Sequence, residues 1–518
     1  MLSFAVFDDD QPAQQMELRH AHLVGKDDLV VAGKIEFAGG IISCRKPMPD
    51  EVCLALQFDT GRPGRLTVRT CLLPDREQPY LLELELARRR IMLFLNKLEE
   101  WSLSDLPAEH PAMVAFEEAR ELFTTALCFP VPKGESYCAD QARTARESLM
   151  RCIEAGELLA IHNAEQQLAA RLASKDATRP IPLPRLGVAV HNEQFSEPLK
   201  KVIASTFDFL VSPMRWCEIE AEEGRFSFTA TDRWIEWAVR HGRIPVVGGP
   251  ILSFGPGAYP DWLGVWEHDY DSLREFAYEH AKRVVTRYRR TVSRWIAISG
   301  VNLNNGFSFS IDQMIEMTRL AVLLVRKLQP SAKIVVEVTQ PFGEHASSNA
   351  ESISPLLYAE LVLEAGISFD ALGVCLQMGD GTPGRSSRDL MQLSAVLDLF
   401  SHFEKPVDVT AFGAPSIPMP DDGSASAPGH WHEPWTPELQ ASWMTEAMKI
   451  AMSKSFVRSV CWQALYDTEA VPDMPHGGLI SREGRAKPAL RRMAEIRMAV
   501  RKRRVPTFDA EPATSDQA

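Results

Sequence analysis

From Leu186 to Ala464 the chain repeats one unit, a short apolar run followed by a longer stretch with helical spacing of its apolar residues. The runs are Leu186–Val190, Phe207–Val211, Ile244–Val247, Trp295–Ser299, Lys333–Val338, Phe369–Leu376, Val407–Thr410 and Ser459–Ala464. Short apolar runs bounded by turn residues read as buried strands, and strands that alternate with helices form parallel sheets. Eight such units over roughly 300 residues predict an α/β fold, a (β/α)8 TIM barrel, with its working residues at the C-terminal ends of the strands.

The segment before the barrel has a different texture. In residues 1–108, Leu29–Ala32, Leu54–Phe58 and Leu66–Thr70 are strand-like, and Gly39-Gly40, Gly61-Arg62-Pro63-Gly64 and Pro74-Asp75 break them. Tyr80-Leu81-Leu82-Glu83-Leu84-Glu85-Leu86 alternates apolar and acidic residues, the pattern of a half-buried strand. These features predict a small β-sandwich-like module, either a carbohydrate-binding accessory or a cap on the barrel. Residues 109–180 predict a helical connector, with helices around Phe116–Leu122 and Ala139–Ala173, and end in the proline-rich linker Thr178–Pro184. The barrel then occupies 181–500, and 501–518 is a polar tail expected to be disordered.

Composition narrows the function classes. With 69 acidic against 56 basic residues, a net charge of −13 disfavours a nucleic-acid partner, because phosphate contacts need a basic surface. No apolar run is long enough for a membrane span. The N-terminus meets Asp8-Asp9-Asp10 before any long apolar run, and nine cysteines lie scattered with no C-x-x-C pair. Both features point to a reduced, cytoplasmic protein. No phosphate loop or nucleophile elbow is present, and no cofactor is expected.

Phe207–Trp216, Glu222–Phe228 with Asp232, Tyr259–Leu263, Val460–Trp462 with Asp467 and Gly478–Ala489 together resemble segments of glycoside hydrolase family 10, the endo-1,4-beta-xylanase-like barrels. Phe207–Trp216 is similar to that family's second-strand motif, with Arg215 at the substrate-binding lysine position. Glu222-Glu223-Gly224-Arg225-Phe226-Ser227-Phe228 with Asp232, Tyr259-Pro260-Asp261-Trp262-Leu263, Val460-Cys461-Trp462 with Asp467, and Gly478–Ala489 resemble further family segments in the same order. The resemblance implies a sugar-cleaving barrel and a carbohydrate ligand.

The departures are as consistent as the matches. The family's fourth strand ends in Trp-Asp-Val-Val-Asn-Glu and its seventh in Thr-Glu. Here Gly300 stands at the acid/base position and Ala411 at the nucleophile position. The third-strand segment Gly248–Phe254 lacks the family's histidines and tryptophan, and Leu376-Gln377-Met378-Gly379-Asp380 lacks the histidine that supports the nucleophile. Glycoside cleavage by the usual routes needs two carboxyl groups, and glycine and alanine supply neither.

Other acids reach the same barrel mouth. Glu337 ends the fifth strand, Glu344 follows it, and Asp380 and Asp467 follow the sixth and eighth. Glu337 and Glu344 are the candidate catalytic acids of a diverged hydrolase, provided burial separates the pKa values of an acid pair. The alternative is a pseudoenzyme that binds carbohydrate or scaffolds another protein, with Glu337 in an ion pair to Arg215 and Glu344 an ordinary loop residue. Candidate sugar contacts are Arg215, Trp216, Trp262, Asn302, Asn305, Gln377, Asp380 and Trp462. Each tryptophan can equally be core, and Asn302, Asn304 and Asn305 can equally be loop and cap residues. His430-Trp431-His432-Glu433, in the long seventh loop, reads as part of a lid over the mouth rather than a metal site.

Overall fold

The computed structural model describes residues 1–174, 182–192, 194–255, 257–419, 427–469 and 474–507. All eight predicted runs are strands: Arg185–Ala189, Phe209–Ser212, Val246–Gly248, Arg294–Ser299, Lys333–Val338, Ala371–Gln377, Val407–Gly413 and Val457–Trp462. They run parallel, and the eighth pairs with the first through Cys461 opposite Gly187, which closes the barrel. At least one helix follows each strand, from Glu197–Thr206 after the first to Pro488–Arg501 after the eighth. The strands are buried almost throughout, as expected when the lumen is filled with side chains and the outside is covered by helices. Phe209, Val211, Val247, Ile296, Val335, Ala371 and Cys461 form the apolar filling of the lumen. No helix among the described residues is long and apolar enough to cross a membrane.

The N-terminal module consists of two small sheets. One contains Leu2–Ala5, Lys34–Ala38, Ile41–Arg45 and Tyr80–Leu81, and the other His22–Val24, Val30–Val31, Cys53–Asp59 and Gly64–Arg69. The expected strand Tyr80–Leu86 stops at Leu81, and Leu82–Glu100 is a helix. Leu, Glu, Ala and Arg are all strong helix formers, and Leu82, Leu86, Arg90 and Phe94 repeat at helical spacing along its buried face. Packing against the helix Ala139–Ala173 decides the matter, since Phe94 and Leu149 lie in one continuous core. Glu83, a solvent-facing acid in the strand reading, is buried against Arg146, and burial pushes its carboxyl up to about 7.

The connector contains helices Pro111–Leu127 and Ala139–Ala173, the second packed on the barrel helices Leu390–Phe400 and Pro437–Ser453. Arg171, near its C-terminus, donates to the carbonyls of Met452, Lys454 and Val457 and so ties the helix to the start of the eighth strand. The linker Thr178–Pro184 is described only from Pro182, and the tail only to residue 507.

The end of the seventh loop departs from the lid reading. His430–Trp431 adds an antiparallel strand to the N-terminal sheet, with His430 opposite Arg65 and Trp431 opposite Gly64. Gly64 has φ +106°, and a Cβ there would stand 2.4 Å from the His430 carbonyl, so only glycine permits the approach. Glu157, from the long connector helix, fixes the strand. It accepts from Trp431 Nε1 at 2.6 Å and from the Leu390 amide at 3.1 Å, and its other oxygen lies 2.8 Å from His432 Nε2. Barrel, connector and module are thus joined through one carboxylate.

Candidate functional site

Side chains facing the lumen recur at every second residue of a strand. On the fifth strand these are Val335 and Glu337, and on the seventh Asp408 and Thr410. Strand irregularities between Ile296 and Ile298 and between Val409 and Phe412 re-aim the strand ends, as bulges do. Ser299, Glu337, Cys375 and Thr410 consequently converge from the fourth, fifth, sixth and seventh strands.

Glu337 is the centre of this cluster and only 5% exposed. Ser299 Oγ donates to its Oε1 at 2.5 Å, and the Thr410 hydroxyl and Cys375 thiol also hydrogen-bond to the carboxylate. Burial raises the Glu337 pKa, and the three hydrogen bonds offset that only in part. Burial, and next the Glu337 charge, also drive the Cys375 thiol well above its ordinary range. The expected Arg215 pair does not form: Arg215 reaches Glu218 Oε1 at 3.1 Å and the Gly257 carbonyl at 2.7 Å. Glu337 is therefore a carboxyl held toward its protonated form by a neutral surround.

Gly300, one residue beyond Ser299, is in the left-handed region at φ +70°, and a Cβ there would stand 3.1 Å from the Gly255 amide nitrogen. Ala411, one residue beyond Thr410, is partly exposed and offers a methyl group. The two hydroxyls that approach Glu337 thus come from the residues immediately before Gly300 and Ala411.

The remaining acids are each held by a cation. Glu344 forms a buried ion pair with Arg388 and accepts from the Gly384 amide at 2.8 Å. Asp380 accepts from the Thr382 amide and lies 3.5 Å from Arg385. Asp467 accepts from Lys487 at 2.6 Å and from the Gly478 amide. Glu344 also borders a cavity shared with the N-terminal sheet, so it and Glu337 face different surroundings.

The candidate sugar contacts divide by burial. Trp462 is fully buried and donates to the Gly477 carbonyl; Trp216 is 1% exposed, stacked on His280 and donating to Glu220. Asn302 is also fully buried and exchanges hydrogen bonds with Thr339. Asn304 caps its own loop through the Phe309 amide and carbonyl. Arg215, Trp262, Asn305 and Gln377 keep exposed surface at the ends of the second, third, fourth and sixth units. Gln377 hydrogen-bonds Gln463, which follows the eighth strand. Among the described residues no group of three His, Cys, Asp or Glu side chains is placed to hold a metal ion.

A closed parallel barrel and the order of the segments along it point the same way. Residues 181–308 match the family model of glycosyl hydrolase family 10. The match spans the first four strands and includes Gly300, while Ala411 lies beyond it. Among solved family 10 structures, native xylanase 10B from Thermotoga maritima is similar at 16% identity, covering 65% of this chain and 99% of that one, with a TM-score of 0.48. GH10 from Paenibacillus barcinonensis is similar at 19% identity over 66% of this chain and 99% of that one, TM-score 0.48. Xylanase 10B from Thermotoga petrophila RKU-1, solved in complex with xylobiose, is 16% identical over 65% of this chain and 97% of that one, TM-score 0.46.

Sequence reasoning picks out Glu337 but not its neighbours. Ser299 and Thr410 are legible in the sequence only as strand residues, although strand parity is the signal that would turn them inward with Glu337. The bulges that complete the convergence have no counterpart in the pattern of residues.

Proposed function

We propose that this chain is a xylanase-like barrel turned from cleavage to carbohydrate binding. One observation carries the reading: Gly300 has a backbone conformation and a packing distance that disfavour any side chain at the acid/base position. Ala411 offers no carboxyl at the nucleophile position, and Asp380, Asp467 and Glu344 are neutralised by Arg385, Lys487 and Arg388. Retaining hydrolysis needs carboxyl groups about 5–5.5 Å apart, and inversion about 6.5–9.5 Å. Glu337, whose hydrogen-bond partners are hydroxyls and a thiol, has no second acid among them.

Binding rests on the partly exposed groups. Trp262 offers an aromatic face and meets the buried Trp216 edge-on at 6.3 Å, Arg215 and Gln377 offer donors, and Asn305 offers an amide. The N-terminal module, braced through Glu157, is a structural support in this reading. A cytoplasmic location belongs to the same proposal and rests on the scattered cysteines, such as Cys44, whose thiol burial raises to about 12.

The raised pKa of Glu337 favours a second reading, in which it serves as the single proton donor of a diverged hydrolase. Titration of the full-length protein with xylo-oligosaccharides, with product analysis in parallel, separates the two. Saturable binding without new reducing ends supports the first, and turnover lost in Glu337→Gln supports the second.

A further inference from the structure

A cavity of about 290 Å³ lies where the N-terminal sheet and the helix Leu82–Glu100 meet the loop after the fifth barrel strand. Five cations line it: Arg69, Arg89, Arg90, Lys97 and Arg388. Four have carboxylate partners. Arg69 pairs with Asp28, Arg90 with Asp389, Lys97 with Asp398 and Glu100, and Arg388 with Glu344. Arg89 has no ion pair or side-chain hydrogen bond among the described residues. Burial, and after it the Arg69 charge, lower its pKa.

A partly buried guanidinium without a counter-ion is unfavourable, and its forked donors match an oxyanion. Val24, Leu93, Phe342, Leu356, Val396 and Leu399 supply apolar wall, and the carboxylates that reach it, Asp28 and Glu344, are those paired with Arg69 and Arg388. Small-ligand sites are typically apolar clefts of roughly 300 Å³ or more with a few polar groups that fix orientation. We propose that this cavity binds a small organic anion, its phosphate or carboxylate held by Arg89 with Arg69 and its apolar body against Leu93 and Phe342. The site is separate from the Glu337 cluster and independent of the carbohydrate reading.

The test is calorimetric titration of the full-length protein at low salt with phenyl phosphate, benzoate and the neutral benzyl alcohol. Wild type is compared with Arg89→Gln and Arg89→Lys. At least one of the two anions binds at one per chain, and the stronger of them names the headgroup; benzyl alcohol binds at least tenfold more weakly. Arg89→Gln weakens the anion at least tenfold and Arg89→Lys weakens it less. The proposal is overturned if neither anion binds the wild type saturably, or if Arg89→Gln binds as tightly. Thermal melts provide an independent reading: the anion raises the midpoint of the wild type, and equal shifts in wild type and Arg89→Gln would also overturn the site.

Discussion

Ser299 and Glu337 share a 2.5 Å hydrogen bond across neighbouring strands, one residue short of Gly300. Thr410 approaches the same carboxyl from the seventh strand, one residue short of Ala411. The result is one carboxyl among neutral donors, where hydrolysis by the usual route needs two acids.

The raised pKa of Glu337 predicts a pH signature. A carboxyl with a higher pKa folded than unfolded binds protons more tightly in the native state. Its stabilising contribution is present below the unfolded carboxyl pKa and is lost as pH rises through the folded value. Wild type should therefore lose stability over that window relative to Glu337→Gln, by about 1.4 kcal/mol for every pH unit that separates the folded and unfolded values. Denaturant midpoints measured from pH 4 to 8 check this, and parallel curves for the two proteins would refute it.

Glutamates placed at Gly300 and Ala411 should not confer hydrolysis. In Gly300→Glu a side chain enters the left-handed region with its Cβ 3.1 Å from the Gly255 nitrogen, at a cost of about 1–3 kcal/mol. Gly300→Glu combined with Ala411→Glu is expected to melt lower than wild type and to release no aryl leaving group from xylobiosides. Ala411→Glu alone should be nearly neutral in stability, because that position is partly exposed.

The carboxylate of Glu157 joins three parts of the molecule. Glu157→Ala leaves the buried Trp431 Nε1 and Leu390 N–H without their acceptor and should destabilise by about 2–4 kcal/mol. Hydrogen exchange should show the His430–Trp431 strand losing protection before the barrel strands do. Burial opposes the charge on His432, but the Glu157 hydrogen bond and charge raise its pKa on balance. Its stabilisation is full at acid pH and falls as pH rises through that raised value, and His432→Gln should flatten this dependence.

Glu344→Ala should leave Arg388 buried without its partner and destabilise by about 3–5 kcal/mol. Replacing both residues by apolar ones of similar volume should recover much of that loss. A double-mutant cycle in urea measures the coupling, and a Glu344 variant with unchanged stability would contradict the structural role assigned to this pair.

The barrel is legible in the sequence because buried parallel strands must be continuous apolar runs, and each of the eight runs is a strand. Tyr80–Leu86 misleads because its alternation also suits a helix packed on two sides, and only the neighbouring helix Ala139–Ala173 decides between the two. His430–Trp431 is unreadable as a strand, since its partner Gly64–Arg65 lies more than 360 residues away in the chain. The tryptophans suggest sugar platforms, yet Trp216 and Trp462 are core, the commoner fate of indole rings.

The central claim is that the barrel binds carbohydrate without cleaving it. Its most direct test is calorimetric titration of the full-length protein with xylohexaose, followed by chromatography of the same mixture after prolonged incubation. A saturable isotherm is expected, weakened in Trp262→Ala, with xylohexaose recovered intact. Shorter oligosaccharides formed by wild type and absent with Glu337→Gln would contradict it.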